Sequence, residues 1–574
     1  MKILWLAVIF SLAFPAVSAD LPVYPVEVHV DCKSAEAAEK AELKFLPLPE
    51  GKKVAFSCRW DDSNPRHLQM RNLLKKHGYK ATFYLHDSGN KMFWEKVFPA
   101  LHSDGFSVGN HTWGHRELPN LTPAGILYEI LGWSIRLECR AQQPVNAFVV
   151  PYGKINSLFF PNVPQTIGSC LKRAGLLGGP DRGPDMPKLL HLPENEWFSS
   201  RIIRPGDRNT KPEKFDADIE RHLAEAKGKP VHLTLGIHTL HSDADFLELE
   251  KSLKKYAHRP DWWYCNENEY LAYSYMFRNA KITGKTATGN QAVFQVLLPC
   301  PELLGSDFPL WAECGGKQFP IRHTRKIPEK IGMANLTGAC VLYPGLSAKI
   351  RWSTSNKIKI ELDNAGAPLE HVLLSLRLPP HFPETVLYRK LDKIIGKNTI
   401  EWTVKPACLR RSSGKQLTAL QLDFRRAGIQ SRLWAADQQE IRSDNPAYPV
   451  HCSAEPFTED DLAKFALPDA PLPPGQFHPA HHAVNQRNGV YDVRIPGRRS
   501  GKETLTAVLD FTGGTEMQLK GELPGTILLN GNKRPQKNRL KLAAPEGKCR
   551  LLLVYPPGKR PVRQLILILK PAEK

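Results

Sequence analysis

The chain has 574 residues, 42% of them hydrophobic and 24% charged, which excludes an intrinsically disordered protein and one built mainly of membrane-spanning helices. The formal net charge is +20, of which residues 281–574 carry +17 and residues 1–280 carry +3. This asymmetry predicts either an anionic polysaccharide or cell envelope as a partner of the C-terminal half or a solvated basic face, and the absence of a nucleic-acid motif argues against nucleic acid.

Residues 1–19 have the pattern of a signal peptide. Lys2 supplies the positive start, residues 3–17 form the apolar run, and small residues precede the expected cleavage after Ala19. Pro15 interrupts the apolar run, which favours a cleaved signal over a membrane anchor. We therefore expect a secreted protein, periplasmic or extracellular, with no transmembrane segment after the signal is removed.

The mature chain would keep all eleven cysteines, and their arrangement predicts no metal ribbon. They are scattered along the sequence without a Cys-x-x-Cys pair, the spacing that a zinc ribbon requires. Export to an oxidising compartment allows some of them to form disulfides, and the odd number leaves at least one cysteine unpaired. The pairing cannot be deduced from the sequence.

Repeated strand and helix patterns follow an extended, proline-containing lead-in at residues 20–50. Buried-strand runs are predicted at residues 54–58, 81–85, 106–109, 148–150 and 233–237. Helices are predicted at residues 67–77 and 93–103, and a third begins at Thr122 and Pro123, which suit a helix cap and first turn. This alternation over residues 51–280 predicts an α/β fold with a parallel layer or barrel.

From about residue 281 the helical periods fade and alternating runs take their place. Residues 281–445 are expected to form an antiparallel, sandwich-like β domain, and residues 485–574 a basic β module of similar type. Between them, residues 446–484 are rich in Pro, His and Ala and have the composition of a linker. The Asn530-Gly531 pair predicts a tight hairpin in the last module.

Ionisable residues follow three of the predicted strands in the α/β part. They are Asp61 and Asp62, then His111 and His115, and later His238. Because the carboxyl ends of the strands are where catalytic groups meet in α/β barrels, we expect these side chains to lie together. Two imidazoles four residues apart and a carboxylate from another strand can bind one cation and leave positions open for water and substrate.

Residues 50–280 resemble the NodB-homology polysaccharide deacetylases, carbohydrate esterase family 4. The resemblance is carried by the segments Asp61-Asp62, Gly109-Asn110-His111-Thr112-Trp113-Gly114-His115, Pro151-Tyr152-Gly153 and the strand ending at His238. It implies a distorted (β/α) barrel and a metal-dependent hydrolase that removes acetyl groups, N-acetyl foremost, from a carbohydrate. Zinc is the metal implied, with cobalt, nickel and manganese as alternatives.

The same resemblance implies a role for each site residue. Asp62, His111 and His115 would be the metal ligands. Asp61 would be the general base and His238 the general acid. The backbone N–H of Tyr152 would hold the oxyanion.

Two departures from the family pattern leave alternatives open. The family has an arginine two residues before the proline of its third motif, where this chain has Val149, and Arg59 or Arg204 are the candidate replacements. The family's Asp-x-x-Asp-Trp motif has only a weak match here, Glu196-Trp197. The residue that would adjust the acidity of His238 is therefore not identified. The alternatives are a weakly active or non-catalytic carbohydrate-binding surface protein and a metal-dependent amidase acting on a non-sugar acyl amide.

Overall fold

The fold was obtained as a computed structural model. It describes residues 22–156, 163–180, 185–193, 197–204, 212–236, 238–334, 343–354, 356–380, 382–404, 414–441, 450–453, 455–473, 478–479, 485–487, 490–496, 504–512, 515–520, 524–535, 540–543, 548–557 and 564–571. The expected signal peptide lies outside these ranges. The chain divides into two compact units: residues 1–120, 126–406 and 417–438 form the first, and residues 121–125, 407–416 and 439–574 form the second.

The strands up to Ile441 are β1 (Val23–Asp31), β2 (Lys44–Phe45), β3 (Val54–Asp61), β4 (Ala81–Leu85), β5 (Ser107–Asn110), β6 (Arg201–Ile203), β7 (Val231–Leu235), β8 (Trp262–Tyr264), β9 (Lys281–Thr288), β10 (Gln291–Pro299), β11 (Leu310–Cys314), β12 (Lys317–Ile321), β13 (Lys330–Ala334), β14 (Leu346–Thr354), β15 (Lys357–Arg377), β16 (Val386–Thr403), β17 (Gly414–Arg426) and β18 (Ile429–Ile441).

The α-helices of this part are α1 (Ala35–Glu39), α2 (His67–Lys76), α3 (Pro123–Leu127), α4 (Trp133–Ala141), α5 (Val163–Ala174), α6 (Met186–Leu189), α7 (Pro212–Ala226), α8 (Asp243–Tyr256), α9 (Glu267–Asn279) and α10 (Pro301–Leu304). Short 3₁₀ helices cover Pro49–Gly51, Phe98–His102, Leu118–Asn120 and Pro151–Gly153, and π-helical turns cover Phe93–Val97 and Tyr128–Gly132. None of the described helices is both long and apolar enough to cross a bilayer.

A parallel sheet in the order β5-β4-β3-β7-β6, with β8 also paired to β3, forms the centre of the first unit. Single parallel bridges extend it from Asn110 to Phe148, from Ala147 to Gly178, and from Gly178 to Phe198, which precedes β6. The sheet is therefore curled into a half-barrel. The predicted parallel α/β arrangement is confirmed.

The alternation of side chains along β3 separates the core from the site. All eight residues of this strand are buried. Phe56, Cys58 and Trp60 belong to the apolar cluster that also contains residues of α2 and α8. Because successive side chains of a strand point to opposite faces, Arg59 and Asp61 share the other face. The same alternation thus anchors the strand and places two charged groups side by side.

Three further sheets belong to the first unit. They have the orders β1-β10-β9, β12-β11-β2 and β13-β18-β17-β15-β14, the last with β16 also paired to β15. The lead-in contributes to two of them, since β1 pairs along its whole length with β10, from Val23 opposite Pro299 to Asp31 opposite Gln291. β10 pairs antiparallel with β1 and β9, β11 with β12 and β2, and β15 with β14, β16 and β17, whereas β13 pairs parallel with β18.

The second unit is also built mainly of strands. They are β19 (Val450–Ser453), β20 (His478–Pro479), β21 (Asn485–Arg487), β22 (Val490–Pro496), β23 (Leu505–Thr512), β24 (Thr515–Lys520), β25 (Thr526–Leu529), β26 (Asn532–Lys533), β27 (Leu540–Ala543), β28 (Lys548–Tyr555) and β29 (Gln564–Pro571). They form two sheets, in the orders β20-β19-β23-β28-β25-β26 and β21-β22-β29-β24-β27.

Two local features of the second unit follow from its sequence. The predicted hairpin is confirmed: Asn530 and Gly531 join β25 to β26 with φ values of 51° and 79°, as a two-residue turn of this type requires. The segment expected to be a linker contains the helix α11 (Glu459–Phe465). Thr458 and Asp461 cap its first turn reciprocally.

Candidate metal centre

The three predicted metal ligands lie together at the carboxyl ends of the parallel strands. Asp62 follows β3, and His111 and His115 follow β5. Asp62 Oδ1 lies 3.6 Å from His111 Nε2 and 3.3 Å from His115 Nε2. The two Nε2 atoms are 3.1 Å apart, and the three ligand atoms all lie within 4.8 Å of one another. One ion can therefore contact all three side chains.

The carboxylate oxygen at the centre of this group fits a cation. Asp62 Oδ1 is buried, and no described residue donates a hydrogen bond to it. A buried acceptor left without a donor is unfavourable, by about 1–3 kcal/mol, and a bound cation would satisfy it. One carboxylate oxygen and two imidazole nitrogens form a donor set that suits Zn²⁺ and its transition-metal neighbours.

The orientation of the His111 ring is fixed by its Nδ1 atom. Its Nδ1 donates a hydrogen bond to the carbonyl oxygen of Val149 at 2.9 Å. Because that nitrogen carries the proton, Nε2 presents its lone pair towards Asp62. Burial lowers the pKa of His111 to about 3, so the ring is neutral at ordinary pH.

His115 has a similar support from Tyr152. Its Nδ1 lies 3.1 Å from the phenolic oxygen of Tyr152, and the two ring centroids are 4.6 Å apart. Burial lowers the pKa of His115 as well, although the carboxylates of Asp62 and Asp61 act in the opposite direction. The Tyr152 side chain is 56% exposed, so it forms a solvent-facing edge of the site.

The loop between the two histidines is held by Asn110. The Asn110 side chain is buried, and its Nδ2 donates to the Ile130 carbonyl at 2.8 Å and to Ser134 Oγ at 2.7 Å. Its Oδ1 accepts the backbone N–H of Thr112 at 2.8 Å. One amide side chain thus ties the ligand loop to the helical segment behind it.

Glu129 holds the same loop further along, and the sequence did not predict this. Its Oε2 accepts the N–H of Gly114 at 2.7 Å, and its backbone carbonyl accepts the N–H of Trp113 at 3.0 Å. Burial raises the pKa of the Glu129 carboxyl. No spacing in the sequence connects residue 129 to the loop.

Four residues of the site have left-handed backbones. They are Asp62, Thr112, His115 and Tyr152, with φ values of 71°, 63°, 49° and 59°. A residue with a Cβ rarely adopts this conformation, which costs about 1–3 kcal/mol at each position. Such strain is maintained by the surrounding structure and is concentrated at binding and catalytic sites.

Asp61 is paired with Arg59, one of the two candidate replacements for the missing family arginine. Arg59 Nε donates to Asp61 Oδ1 at 2.8 Å and Nη2 donates to Oδ2 at 2.5 Å, and both side chains are 3% exposed. The other candidate, Arg204, is exposed. Gly236 lets the segment after β7 approach the backbone of β3, because a Cβ there would lie 2.5 Å from the Arg59 carbonyl oxygen.

His238 lies beside Asp61 in the curled sheet, since the two residues form a parallel bridge. Its side chain is partly exposed. The structure therefore brings all six sequence-predicted site residues to the same end of the strands. Of the two residues that weakly match the Asp-x-x-Asp-Trp motif, Trp197 is buried and Glu196 lies outside the described residues.

A third imidazole, His86, also lies at the centre and was not predicted. It follows β4, the strand between the two that carry the ligands. Its Nε2 lies 3.9 Å from Asp62 Oδ1, and its ring centroid lies 4.9 Å from that of His115. The sequence signal was present, because His86 comes directly after a buried strand, as Asp62 and His111 do.

Comparison with known proteins supports the resemblance inferred from the motifs. Residues 50–165 match the family model described as polysaccharide deacetylase. The predicted resemblance is confirmed for this segment. A chitin deacetylase from Pestalotiopsis sp is 27% identical over 106 residues, which are 18% of this chain and 36% of that protein. The chain thus spans just over a third of the length of this deacetylase.

Solved structures similar to the deacetylase-like segment have low sequence identity to it. A family 4 acetyl xylan esterase from Clostridium thermocellum, solved with a cobalt ion, is 15% identical and covers 38% of this chain and 90% of its own, with a TM-score of 0.27. A family 4 pseudoenzyme from Bacillus anthracis is 17% identical and covers 39% of this chain and 66% of its own, with a TM-score of 0.25.

Proposed function

We propose that the protein is a secreted, metal-dependent hydrolase that removes acetyl groups, N-acetyl foremost, from a carbohydrate polymer or oligomer. The observation that carries the proposal is the position of the His111 and His115 rings around Asp62 Oδ1, a buried oxygen to which no described residue donates a hydrogen bond. The buried Arg59–Asp61 ion pair lies next to this group in the sequence. The deacetylase match over residues 50–165 supports the reaction type.

Three side chains supply the ligands in this proposal. Asp62, His111 and His115 would hold a divalent ion, with zinc first and cobalt, nickel or manganese as alternatives. Such an ion supplies polarisation of the acetyl carbonyl and a lowered pKa for water.

The remaining residues move protons and hold charge. Asp61 takes the proton of the attacking water, and Arg59 fixes the direction of its carboxylate through two parallel hydrogen bonds. The backbone N–H of Tyr152 donates to the developing oxyanion, and His238 gives a proton to the leaving nitrogen or oxygen. Acetate and a free amine or hydroxyl are the products.

The Arg59–Asp61 contact also bears on the non-catalytic alternative. That alternative was motivated partly by Val149, which left the base without its family partner. Arg59 supplies a buried bidentate cation to the same carboxylate from a different position in the sequence. The pair therefore supports turnover over metal binding alone.

Acetate release with a panel of substrates tests the proposal. Chitin oligomers, peptidoglycan fragments, acetylated xylan and a non-sugar acetamide are incubated with the protein, with its chelated form and with chelated protein given Zn²⁺ or Co²⁺. We expect release from at least one carbohydrate that chelation abolishes and metal restores. Release from the acetamide alone would favour the amidase.

Two variants separate metal binding from turnover. Asp62→Ala is expected to lose both the metal and acetate release. Asp61→Asn is expected to keep the metal and lose acetate release, because the amide cannot accept the proton. Wild-type protein that binds metal and acts on none of the carbohydrates would contradict the enzymatic proposal.

The proposal also includes export of the protein and its attachment to an anionic partner. Residues 1–19 have the pattern of a signal peptide, and residues 281–574 carry +17 of the net charge. We infer that the basic part holds the full chain on an acidic polysaccharide or cell envelope. Retention on such a polymer should weaken steeply as salt is raised, and retention that is independent of salt would contradict a charge-driven contact.

A further inference from the structure

The backbones of His86 and its two chain neighbours are hydrogen-bonded to both loops that carry the proposed ligands. The carbonyl of Leu85 accepts the N–H of His111 at 3.0 Å, and the N–H of Asp87 donates to the Trp113 carbonyl at 2.8 Å. The carbonyl of His86 itself accepts the hydroxyl of Ser63 at 2.6 Å. These three hydrogen bonds fix the position of the His86 backbone relative to the residues next to Asp62 and around His111.

The His86 ring is directed at the same carboxylate oxygen as the other two imidazoles. Its Nε2 lies 3.9 Å from Asp62 Oδ1, compared with 3.6 Å for His111 and 3.3 Å for His115. The ring centroid lies 4.9 Å from that of His115 and 6.4 Å from that of His111. The group whose ligand atoms all lie within 4.8 Å of one another contains Asp62, His111 and His115 and not His86, so metal binding by His86 would require its ring to move towards the other two.

We propose that His86 is a fourth protein ligand of the metal centre. The inference rests on the proposed function, because it requires the centre formed by Asp62, His111 and His115. His86 would take one of the positions that the triad leaves open and keep at least one for water and substrate. Three imidazoles and one carboxylate also shift the preference towards zinc, cobalt and nickel and away from manganese, which favours oxygen ligands.

Metal affinity and ligand counting test this assignment. The full chain is stripped of metal, and Zn²⁺ and Co²⁺ affinities are measured by competition with a chromogenic chelator. X-ray absorption of the Zn²⁺-loaded protein counts the coordinated imidazoles. We expect three imidazoles in the wild type and two in His86→Ala, with a loss of affinity of about ten- to a hundredfold.

Two more variants make the comparison specific. His86→Gln keeps a polar side chain of similar size and should lose the same imidazole while remaining folded, as checked by circular dichroism. His102→Ala is the matched control, since His102 is a half-buried histidine whose ring bonds the Phe98 carbonyl. It should leave both the affinity and the imidazole count unchanged.

Each other outcome overturns the assignment. Two imidazoles in the wild type and unchanged affinity in both His86 variants would refute the fourth ligand and leave the proposed function standing. Unchanged affinity with a raised KM for the substrate would make His86 a substrate contact instead. A wild type that binds neither metal stoichiometrically would refute the metal centre itself.

Discussion

Arg59 and Asp61 illustrate how single residues set this site. They are two positions apart on β3, so the alternation of the strand places both side chains on one face, and both are buried. A buried ion pair is stable only when its geometry and hydrogen bonds are good, because desolvation of both charges is expensive. The two parallel hydrogen bonds from one guanidinium meet that condition and leave the carboxylate in a fixed orientation.

We expect Arg59→Met to destabilise the protein by about 3–5 kcal/mol, since it leaves the Asp61 carboxylate buried without a partner. Arg59→Lys keeps the charge but loses the bidentate geometry, so it should lower kcat more than it raises KM. Urea unfolding measures the first effect and steady-state kinetics the second. Arg204→Met is the control at the exposed candidate position and should leave both unchanged. An equal loss in the Arg204 variant would contradict the pairing as the cause.

At the scale of elements, the parallel strands determine where the residues of the proposed metal centre lie. β3, β4 and β5 are neighbours in the curled sheet, and their carboxyl ends carry Asp62, His86 and His111. The loops that follow are fixed by polar contacts to segments further along the chain. The Asn110 amide and the Glu129 carboxylate hold the loop from His111 to His115 from behind.

Glu129→Ala should weaken Zn²⁺ binding by about tenfold, because the N–H of Gly114 would lose its acceptor and the ligand loop its support. Glu129→Gln keeps an acceptor oxygen and should retain most of the affinity. Chelator competition gives the affinities, and thermal unfolding checks that both variants fold. Equal weakening in the two variants would show that the negative charge, rather than the hydrogen bond, is what the loop requires.

The sequence predicted the residues at the strand ends well, but it did not predict the side chains that hold the loops after those strands. Asp62, His111, His115 and His238 were found because buried runs mark strands, and parallel strands bring their carboxyl ends together. Glu129 was missed because its contact joins a helical segment to a loop 15 residues earlier, and side-chain direction decides such contacts. His86 was missed although the strand-end rule applied to it.

In the β-rich parts, too, some features were predictable from the sequence and others were not. Periodicity predicted strands from about residue 281 onwards, and the turn chemistry of Asn530 and Gly531 predicted their hairpin. The partners of the strands were not predictable, because alternation reports which face is buried and not which strand lies beside it. Two such unpredicted pairings are the antiparallel pairing of β1 with β10 and the parallel pairing of β13 with β18.

At the scale of the whole molecule, two buried carboxyl groups link stability to pH. Burial raises the pKa of Glu267 to about 7 and that of Glu302 to about 7. Glu267 lies inside the first unit, where its Oε1 accepts hydroxyl hydrogen bonds from Ser57 and Thr234. In the unfolded chain both groups ionise near their usual pKa of about 4.3.

The sign of the effect follows from proton binding. Between pH of about 4.5 and 7 the folded state holds these protons and the unfolded state has released them, so the stability that these two groups contribute falls as pH rises and levels off above 7. The buried rings of His111 and His232, whose pKa burial lowers to about 3, act in the opposite direction over the lower part of this range. We expect each group to remove up to about 3 kcal/mol of unfolding free energy between pH 5 and 8. Urea unfolding at both values measures it.

The matched variants are Glu267→Gln and Glu302→Gln. Relative to the wild type, each should raise the unfolding free energy at pH 8 against that at pH 5 by its own share, and the double variant should raise it by the sum, because the amide does not titrate. The same difference between pH 5 and 8 in the wild type and in the double variant would show that these two carboxyl groups do not titrate as expected.

The ladder between β1 and β10 constrains the order in which the molecule can be assembled. The ribosome makes Val23–Asp31 before its partner strand, Gln291–Pro299, which emerges some 260 residues later. Until then the first strand has an open edge that a foreign chain can occupy. Completion of this ladder must therefore wait until Gln291–Pro299 has been synthesised. A holding chaperone that covers this edge would be of most use during that interval.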